Sequence, residues 1–278
     1  MGRSYAVGLV LIAAALGASA QNNFFGKWEA RTSATQAQQP AWTPPLVTTY
    51  VGLIQVYRGD FTRQINPTHA TTWNYDGSKG LNLIPFARTE VDIDLPPLVT
   101  HSSPSSIDGA GDLSFQGKYR LLSGNGQHGN YVVSTFVTAT VPTGSYKNGS
   151  SDATVAPAMG FGKGIGPLNV QTTLGAALPT GDTTKLGRPV VWNTAAEFHF
   201  ARYFWPEAEF NATYYHGGPN DGKTQAFVTP GILVGRIPLR GGDDHGRLGL
   251  CLGGGEQIAA SQFHSYNHEL IFSGRLLF

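Results

Sequence analysis

Alternation of apolar and polar residues is the clearest pattern in the chain, and it predicts β-strands. Residues 113–121 (LSFQGKYRL) place Leu, Phe, Gly, Tyr and Leu at odd positions and Ser, Gln, Lys and Arg at even ones. The last stretch, His268–Phe278, has Leu or Phe at most even positions, whereas Glu269 and Arg275 stand at odd ones. Successive side chains of a strand point to opposite faces, so each segment has one apolar face and one polar face.

The same alternation recurs along the chain and predicts an antiparallel sheet. Turn-forming residues separate the alternating segments, which suits strands joined by hairpins. Residues 58–79 are polar and are predicted to form a long loop. The predicted strands, about eleven, are residues 47–57, 81–95, 113–121, 131–141, 153–163, 170–178, 190–203, 207–214, 224–236, 248–258 and 268–278.

Composition favours a membrane-spanning barrel over a soluble sandwich whose polar face is wet. The 36 Gly and 17 Pro predict many turns and little helix. The polar strand faces carry charges, and burying one unpaired charge in a dry core costs several kcal/mol. A barrel has a polar lumen and an apolar lipid face. Aromatic residues cluster near predicted strand ends, as in interfacial girdles: Tyr57, Trp192, Tyr203, Phe204, Trp205, Tyr214 and Tyr215.

We therefore predict an all-β fold, an antiparallel up-and-down transmembrane β-barrel of about twelve strands, with a range of about 10–14. Single-chain bacterial barrels have even strand numbers, so one strand more than the eleven segments is expected.

The first 45 residues are predicted to precede the barrel. Arg3, the apolar run 7–16 and Ala18-Ser19-Ala20 are typical of a cleaved secretory signal at residues 1–20. Residues 21–45 form a polar lead-in segment, expected in the periplasm or against the barrel mouth, with room for a short helix within 26–38. The barrel then covers residues 46–278. Cys251 is the lone cysteine and is predicted to be an inert packing residue.

An internal repeat carries a resemblance to a known family. Residues 133–144 and 170–181 each form a predicted strand closed by Pro-Thr-Gly, as expected for duplicated hairpins in an up-and-down sheet. With residues 206–210 (PEAEF), these motifs resemble the outer-membrane transporter family described as "MetA-pathway of phenol degradation", over residues 111–278. A signal peptide and a terminal Phe278 also resemble bacterial outer-membrane proteins. That likeness implies that the barrel-assembly machinery reads the last strand, with Phe278 as the assembly signal.

Ionisable residues on the polar strand faces are the candidate lumen and solute-contact residues: Lys118, Arg120, Glu197, His199, Glu207, Glu209 and Arg275. If Pro206 lies in a tight connection, the three glutamates and His199 gather near one end of the lumen, and the three cations balance them. Such a charged constriction would select solutes by field and hydrogen bonding. The alternative is a structural salt-bridge network that holds the lumen together.

The remaining motifs predict no catalytic residue, cofactor or metal site. Asp243-Asp244-His245 has metal-ligating side chains, but a Gly-flanked loop of this kind is predicted to be solvated. Residues 160–166 (GFGKGIG) mimic a phosphate-binding loop but lack its Lys-Ser/Thr ending and following helix, so they are predicted to form a turn. A net charge of +1 without basic runs does not suggest a nucleic-acid partner.

The predicted function is passive passage of small solutes across the outer membrane. Hydrophobic or aromatic solutes are implied by the family resemblance alone. Two alternatives stay open: a structural or adhesive barrel with a plugged lumen, and an outer-membrane lipid hydrolase. The expected partners are outer-membrane lipid, the barrel-assembly machinery and a small-molecule solute, and no feature predicts an oligomeric state.

Overall fold

The computed structural model describes residues 21–76, 79–239 and 247–278, apart from the side chains of 21–23. The predicted signal peptide and the Asp243-Asp244-His245 loop lie outside the described residues. Among the described residues, no helix has both the length and the apolar composition needed to cross a membrane. The helices are α1 (Gln21–Gln36) and α2 (Thr183–Leu186), and the strands are β1 (Val56–Ile65), β2 (Thr71–Asp76), β3 (Gly80–Phe86), β4 (Thr89–Asp94), β5 (Leu98–His101), β6 (Gly109–Ala110), β7 (Leu113–Gly124), β8 (Tyr131–Val141), β9 (Thr154–Ile165), β10 (Leu168–Ala176), β11 (Leu178–Pro179), β12 (Val190–Phe198), β13 (Phe204–Tyr214), β14 (Thr224–Pro238), β15 (Gly249–Ala259) and β16 (His268–Leu277).

The strands form a closed antiparallel barrel of 12 wall strands, which confirms the predicted fold class. Four of the wall strands are interrupted, and each consists of two successive segments: β2 and β3, β4 and β5, β6 and β7, and β10 and β11. Along β1, for example, Asp60 pairs with Asp76 of β2 and Tyr57 pairs with Leu81 of β3. Strand β16 pairs with the full length of β1 and closes the sheet. Closure leaves no unpaired sheet edge.

The two faces of the wall have opposite chemistry. On β16, Phe272 is 57% exposed on the outside, whereas Glu269, Ser273 and Arg275 are buried inside, as predicted. Ile271 also points inward, which explains why it weakens the alternation. The other outer positions repeat this apolar pattern, including Phe115, Met159, Trp192, Ile232 and Leu252. The barrel is thus apolar outside and polar inside, the reverse of a soluble protein.

The first wall strand begins and the last wall strand finishes at the same end of the barrel. We call this the proximal end, where β1 begins and β16 finishes, with Val56 opposite Leu277. The connections 87–88, 125–130, 166–167 and 199–203 are also proximal, because each follows a strand antiparallel to β1. The opposite, distal end holds the connections 66–70, 102–108, 142–153, 180–189, 215–223 and 260–267.

The N-terminal third differs from the prediction in three ways. Residues 47–55 are not a strand but lie inside the barrel, so the wall begins at Val56. Most of the predicted loop 58–79 is β1 and β2. The predicted strand 81–95 is the hairpin β3–β4. Cross-strand partners share a face, and Leu83 pairs with Val91, an even number of positions away. Alternation therefore continues unchanged through the turn and hides it.

A plugged lumen as the candidate functional site

The segment that joins α1 to β1, residues 37–55, fills the lumen and is called the plug. Most of its apolar side chains are buried against the interior of the wall, and Val51 and Leu53 have no exposed surface. It contacts strands on all sides of the barrel, from β4 and β7 to β13 and β15. The sequence predicted a lead-in segment outside the barrel followed by a strand, so the lumen position of this segment is a correction.

Wall side chains accept hydrogen bonds from the plug backbone. Both carboxylate oxygens of Glu209 accept, from Val47 N at 2.7 Å and from Thr48 N at 2.6 Å. Further backbone donors of the plug bond Glu207 (Leu46 N, 3.2 Å), Gln171 (Val51 N, 3.2 Å) and Glu90 (Ile54 N). The plug has no ladder partner, and these side chains satisfy donors that would otherwise be buried without one.

Wall cations donate to the plug carbonyls. Arg275 binds the carbonyls of Pro44 and Pro45, the latter at 2.9 Å. Arg58 donates to the Pro45 carbonyl at 3.1 Å and also to that of Leu46. Two further carbonyls are bound by Ser134 Oγ (Val51 O, 2.6 Å) and by Lys118 Nζ (Gly52 O, 3.3 Å). Acids and bases of the wall thus bind opposite ends of the plug's peptide dipoles.

Glycines make room for the plug's bulky side chains at two places. A Cβ on Gly253 would lie 2.9 Å from Leu46, and one on Gly255 would lie 2.8 Å from it. Across the barrel, a Cβ on Gly162 would lie 2.6 Å from the Trp42 ring. Gly162 belongs to residues 160–166, which are mostly the end of β9 rather than the predicted turn. These glycines give the wall a shape that is complementary to the plug.

Buried ion pairs organise the polar lumen. Lys118 Nζ lies 2.6 Å from Glu90 Oε1, and both side chains are buried. Arg58 and Asp60 form a second pair at 2.6 Å. Removing one member of such a pair leaves an uncompensated charge in a poorly hydrated site. On the acidic side, Glu197 accepts from Gln171 Nε2 at 2.9 Å, whereas one oxygen each of Glu197 and Glu207 has no partner among the described residues.

The structure brings six of the seven predicted lumen residues to the interior: Lys118, Arg120, Glu197, Glu207, Glu209 and Arg275. Glu197 and Glu207 are register partners on β12 and β13. His199 is exposed in the proximal turn and stacks on Trp205, with ring centroids 4.0 Å apart. His199 thus lies at the proximal end of the barrel and not among the buried lumen residues, and its lumen role stays a prediction. A role in solute contact stays a prediction for all seven residues.

The aromatic prediction is also corrected at Trp205. This residue is not part of an outer girdle but points inward, where it packs with Leu46 and donates to the Gly235 carbonyl at 3.1 Å. Pro206 lies within β13 rather than in the connection, which is residues 199–203. The outward-facing Tyr57, Trp192, Phe204 and Tyr214 are exposed near the ends of their strands or on the outer wall.

Sequence reasoning missed Glu90, Arg58 and Gln171, each of which binds the plug directly. Glu90 stands on the polar face of the alternating segment 81–95, so a signal for it was present. Arg58 fell in a predicted loop. The plug itself leaves no clear signal, because a short buried apolar run inside a barrel resembles a buried strand.

Space remains between the plug and the wall. A cavity of about 210 Å³ lies toward the proximal end, lined by Trp42, Tyr50, Trp205, Cys251 and Leu277 among others. Cys251 is buried, as predicted for a packing residue, and its Sγ lies 3.8 Å from Thr43 Oγ1 of the plug. Within the described ranges, no group of three or more His, Cys, Asp or Glu side chains is arranged to hold a metal ion.

Phe278 follows β16 at the proximal end. Its N–H donates to the carbonyl of Gln55 at 3.3 Å, and Arg247 donates to its carbonyl at 3.1 Å. It is half-buried. Its role as an assembly signal stays a prediction.

Two solved structures with a similar fold are an outer-membrane channel and a porin. The "COG4313 outer membrane channel" from Pseudomonas putida F1 superposes with a TM-score of 0.54 at 13% identity, covering 85% of this chain and 100% of that one. The NanC porin gives a TM-score of 0.53 at 10% identity, covering 81% and 98%. At such identities the likeness shows the fold alone. No curated protein matches the sequence.

A family model described as "Putative MetA-pathway of phenol degradation" matches residues 47–205, from the middle of the plug to β13. The match covers more than half of the chain and confirms the family resemblance; it includes both Pro-Thr-Gly repeats but not residues 206–210. The chain therefore belongs to this phenol-degradation family of outer-membrane barrel proteins.

Proposed function

We propose that the protein is a passive channel of the outer membrane, closed at rest by the plug, that conducts small solutes when the plug leaves the lumen. The observation that carries the proposal is a polar lumen, enclosed by an apolar closed wall, that a non-strand segment fills. The proximal end then faces the periplasm. The channel fold of the similar structures supports this function.

The bonding of the plug suits a reversible closure. The wall is held by continuous backbone ladders, whereas the plug backbone is bound by wall side chains such as Glu209 and Arg275. Each such bond contributes about 0.5–1.5 kcal/mol net, or about 1.5–3 where a charge takes part, because water replaces it on opening. Departure of the plug therefore costs none of the ladder bonds that hold the barrel closed.

We propose small hydrophobic or aromatic molecules as the solutes. The family description names phenol degradation. Within this chain, Trp42, Tyr50 and Trp205 line the cavity of about 210 Å³ beside the plug. Aromatic side chains bind aromatic rings by offset or edge-to-face contact, so this cavity supports the proposed solute class.

The test is conductance in planar bilayers of the refolded mature protein and of a variant that lacks residues 21–54. We expect rare openings from the wild type and a steady open current from the deletion variant. A heat-dependent shift in gel mobility verifies that the deletion variant is folded. If the deletion variant does not fold, the substitution Leu46→Ser, which weakens the packing of the plug, is measured in its place. Absence of current from every folded variant would overturn the proposal.

A plugged structural barrel without transport is the second candidate. It is favoured by one observation, namely that the plug bonds to side chains on opposite sides of the wall, including Glu90 on β4 and Glu209 on β13. Wild-type conductance decides between the two, because a permanent plug predicts no wild-type openings, whereas current from the deletion variant alone shows only that the plug fills the lumen.

A further inference from the structure

A second cavity, of about 410 Å³, lies at the proximal end of the barrel, beside the start of the plug. It is bounded by the start of the plug at Ala37 and Gln38, the β3–β4 turn at Arg88, and the β7–β8 turn with Asn125 and His128. Arg120, Ser123 and Tyr131 complete its lining with Leu121, Leu122 and Gly124. The lining thus contains two arginines and a histidine but no aspartate or glutamate.

The charge of Arg120 is uncompensated in this cavity. Its side chain is 2% exposed, and its guanidinium donates to neutral oxygens: Thr35 O at 2.7 Å, Gln39 Oε1 at 2.9 Å, Gln38 Oε1 at 3.3 Å and Ala87 O at 3.4 Å. Among the described residues, no carboxylate lies within ion-pair distance of it. Buried charges in proteins are normally paired, so a counter-charge is missing from this position.

Arg88 adds a second positive charge beside the first. Its backbone carbonyl accepts from Arg120 N at 2.8 Å, and its side chain is exposed at the cavity. Two guanidinium groups that share one cavity repel each other, and an anion between them would relieve that repulsion. Arg88 can contact such an anion directly, whereas Arg120, whose donors are already engaged, would act through its field.

The rim of the cavity is apolar on the lipid side. The register shifts between Arg120 and Leu122, and Leu121 and Leu122 are 37% and 61% exposed. A basic pocket next to an apolar outer wall at the end of the barrel suits a phosphate group at the membrane surface, since basic pockets at that depth bind anionic lipid head groups.

We propose that this proximal cavity is a phosphate-binding site, with Arg88 as the contacting residue. The phosphate is either the phosphodiester of an anionic phospholipid or inorganic phosphate. The site is independent of whether the barrel conducts.

The experiment measures binding to the full mature chain in neutral detergent micelles, with inorganic phosphate by calorimetry and with phosphatidylglycerol by native mass spectrometry. The variants are Arg88→Gln and a matched control, Arg202→Gln, which removes an exposed cation from another proximal turn. We expect Arg88→Gln to weaken binding about tenfold or more, because a charge-assisted bidentate contact is lost, and Arg202→Gln to change it less than about twofold.

The binding pattern of the two probes distinguishes a free-phosphate site from a lipid site. Binding of both probes, weakened only by Arg88→Gln, supports a site for which free phosphate suffices. Binding of phosphatidylglycerol alone, with the same dependence on Arg88, supports a lipid site. No binding of either probe, or equal binding by all three proteins, would overturn the proposal. Gel mobility before and after heating verifies that each variant is a folded barrel.

Discussion

Single glycines decide where the plug can lie. Gly162 and Gly253 face the lumen at positions where any Cβ would meet Trp42 or Leu46. In the sequence, residues 160–166 predicted a turn, because glycine-rich stretches usually mark turns. The structure gives another reason for glycine in a strand, the close approach of a second chain segment. Sequence alone could not distinguish the two, since the approaching residue is more than a hundred positions away.

Substitution of Gly162 by Val is expected to loosen the plug. The new side chain would displace the Trp42 ring, and overpacking of this kind costs about 1–3 kcal/mol, which corresponds to a roughly 5- to 150-fold rise in the open-to-closed ratio. The measurement is open probability in planar bilayers. Gly117→Val is the control, because no atom lies within 4 Å of its added Cβ. Equal open probabilities for the two variants would contradict the shape-complementarity argument.

The pair Lys118–Glu90 gives a prediction about stability. Lys118→Met leaves Glu90 buried without its counter-charge, and we expect a loss of about 3–5 kcal/mol in the free energy of unfolding from lipid vesicles in urea. The double variant Lys118→Met, Glu90→Gln removes both charges and should recover part of this loss. A single variant within about 1 kcal/mol of wild type would show that the pair does not stabilise the lumen.

At the scale of elements, the plug and a wall strand look alike in sequence but differ in how their backbones are bonded. Residues 47–57 were predicted to form a strand, whereas β1 begins at Val56. β1 itself was missed because its outer face includes Gly59 and Arg63, and Arg63 lies over the Trp73 ring at 5.0 Å. Residues 50–55 are buried on all sides, and a short buried apolar run of this kind cannot be distinguished from a buried strand by its sequence.

The bonding of the plug predicts its hydrogen exchange. Val47 and Thr48 donate to Glu209, so their amides should exchange slowly in the wild type. Glu209→Ala removes both acceptors, each worth about 1.5–3 kcal/mol, and exchange at these two amides should accelerate at least about tenfold. Amides of β8 should be unchanged. Glu256→Ala, which removes a carboxylate whose partner is the exposed His268, is the control. Unchanged exchange at residues 47 and 48 would place the plug's anchoring elsewhere.

For the whole molecule, the barrel architecture follows from the sequence more directly than its contents do. The polar strand faces and the apolar opposite faces predicted a closed wall, and β1–β16 pairing confirms it. The apolar and polar faces are properties of each single strand, so they can be recognised without knowing which distant segment the strand contacts. Filling of the lumen could not be predicted, because it depends on contacts such as Leu46 with β14 and β15, between segments far apart in the chain.

Closure of the wall predicts slow unfolding in detergent. With each of the 12 wall strands paired on both sides, the barrel should resist dodecyl sulfate at room temperature and change its gel mobility only after heating. Cell fractionation should place it with the outer membrane. Identical mobility before and after heating, together with recovery in the soluble periplasm, would contradict a membrane barrel.

The central claim is that the lumen opens by departure of the plug, and a disulfide tests it most directly. Thr43→Cys places a thiol beside Cys251, whose Sγ lies 3.8 Å from Thr43 Oγ1, so that a small rotation would bring the two sulfurs to the bond length of about 2 Å. Thr43→Ser and the double variant Thr43→Cys, Cys251→Ser are the controls. We expect oxidised Thr43→Cys to show no openings in planar bilayers and to regain wild-type openings on reduction. The opening frequency of both controls should be the same under oxidising and reducing conditions. Openings of the oxidised, fully cross-linked protein at the wild-type frequency would contradict the account.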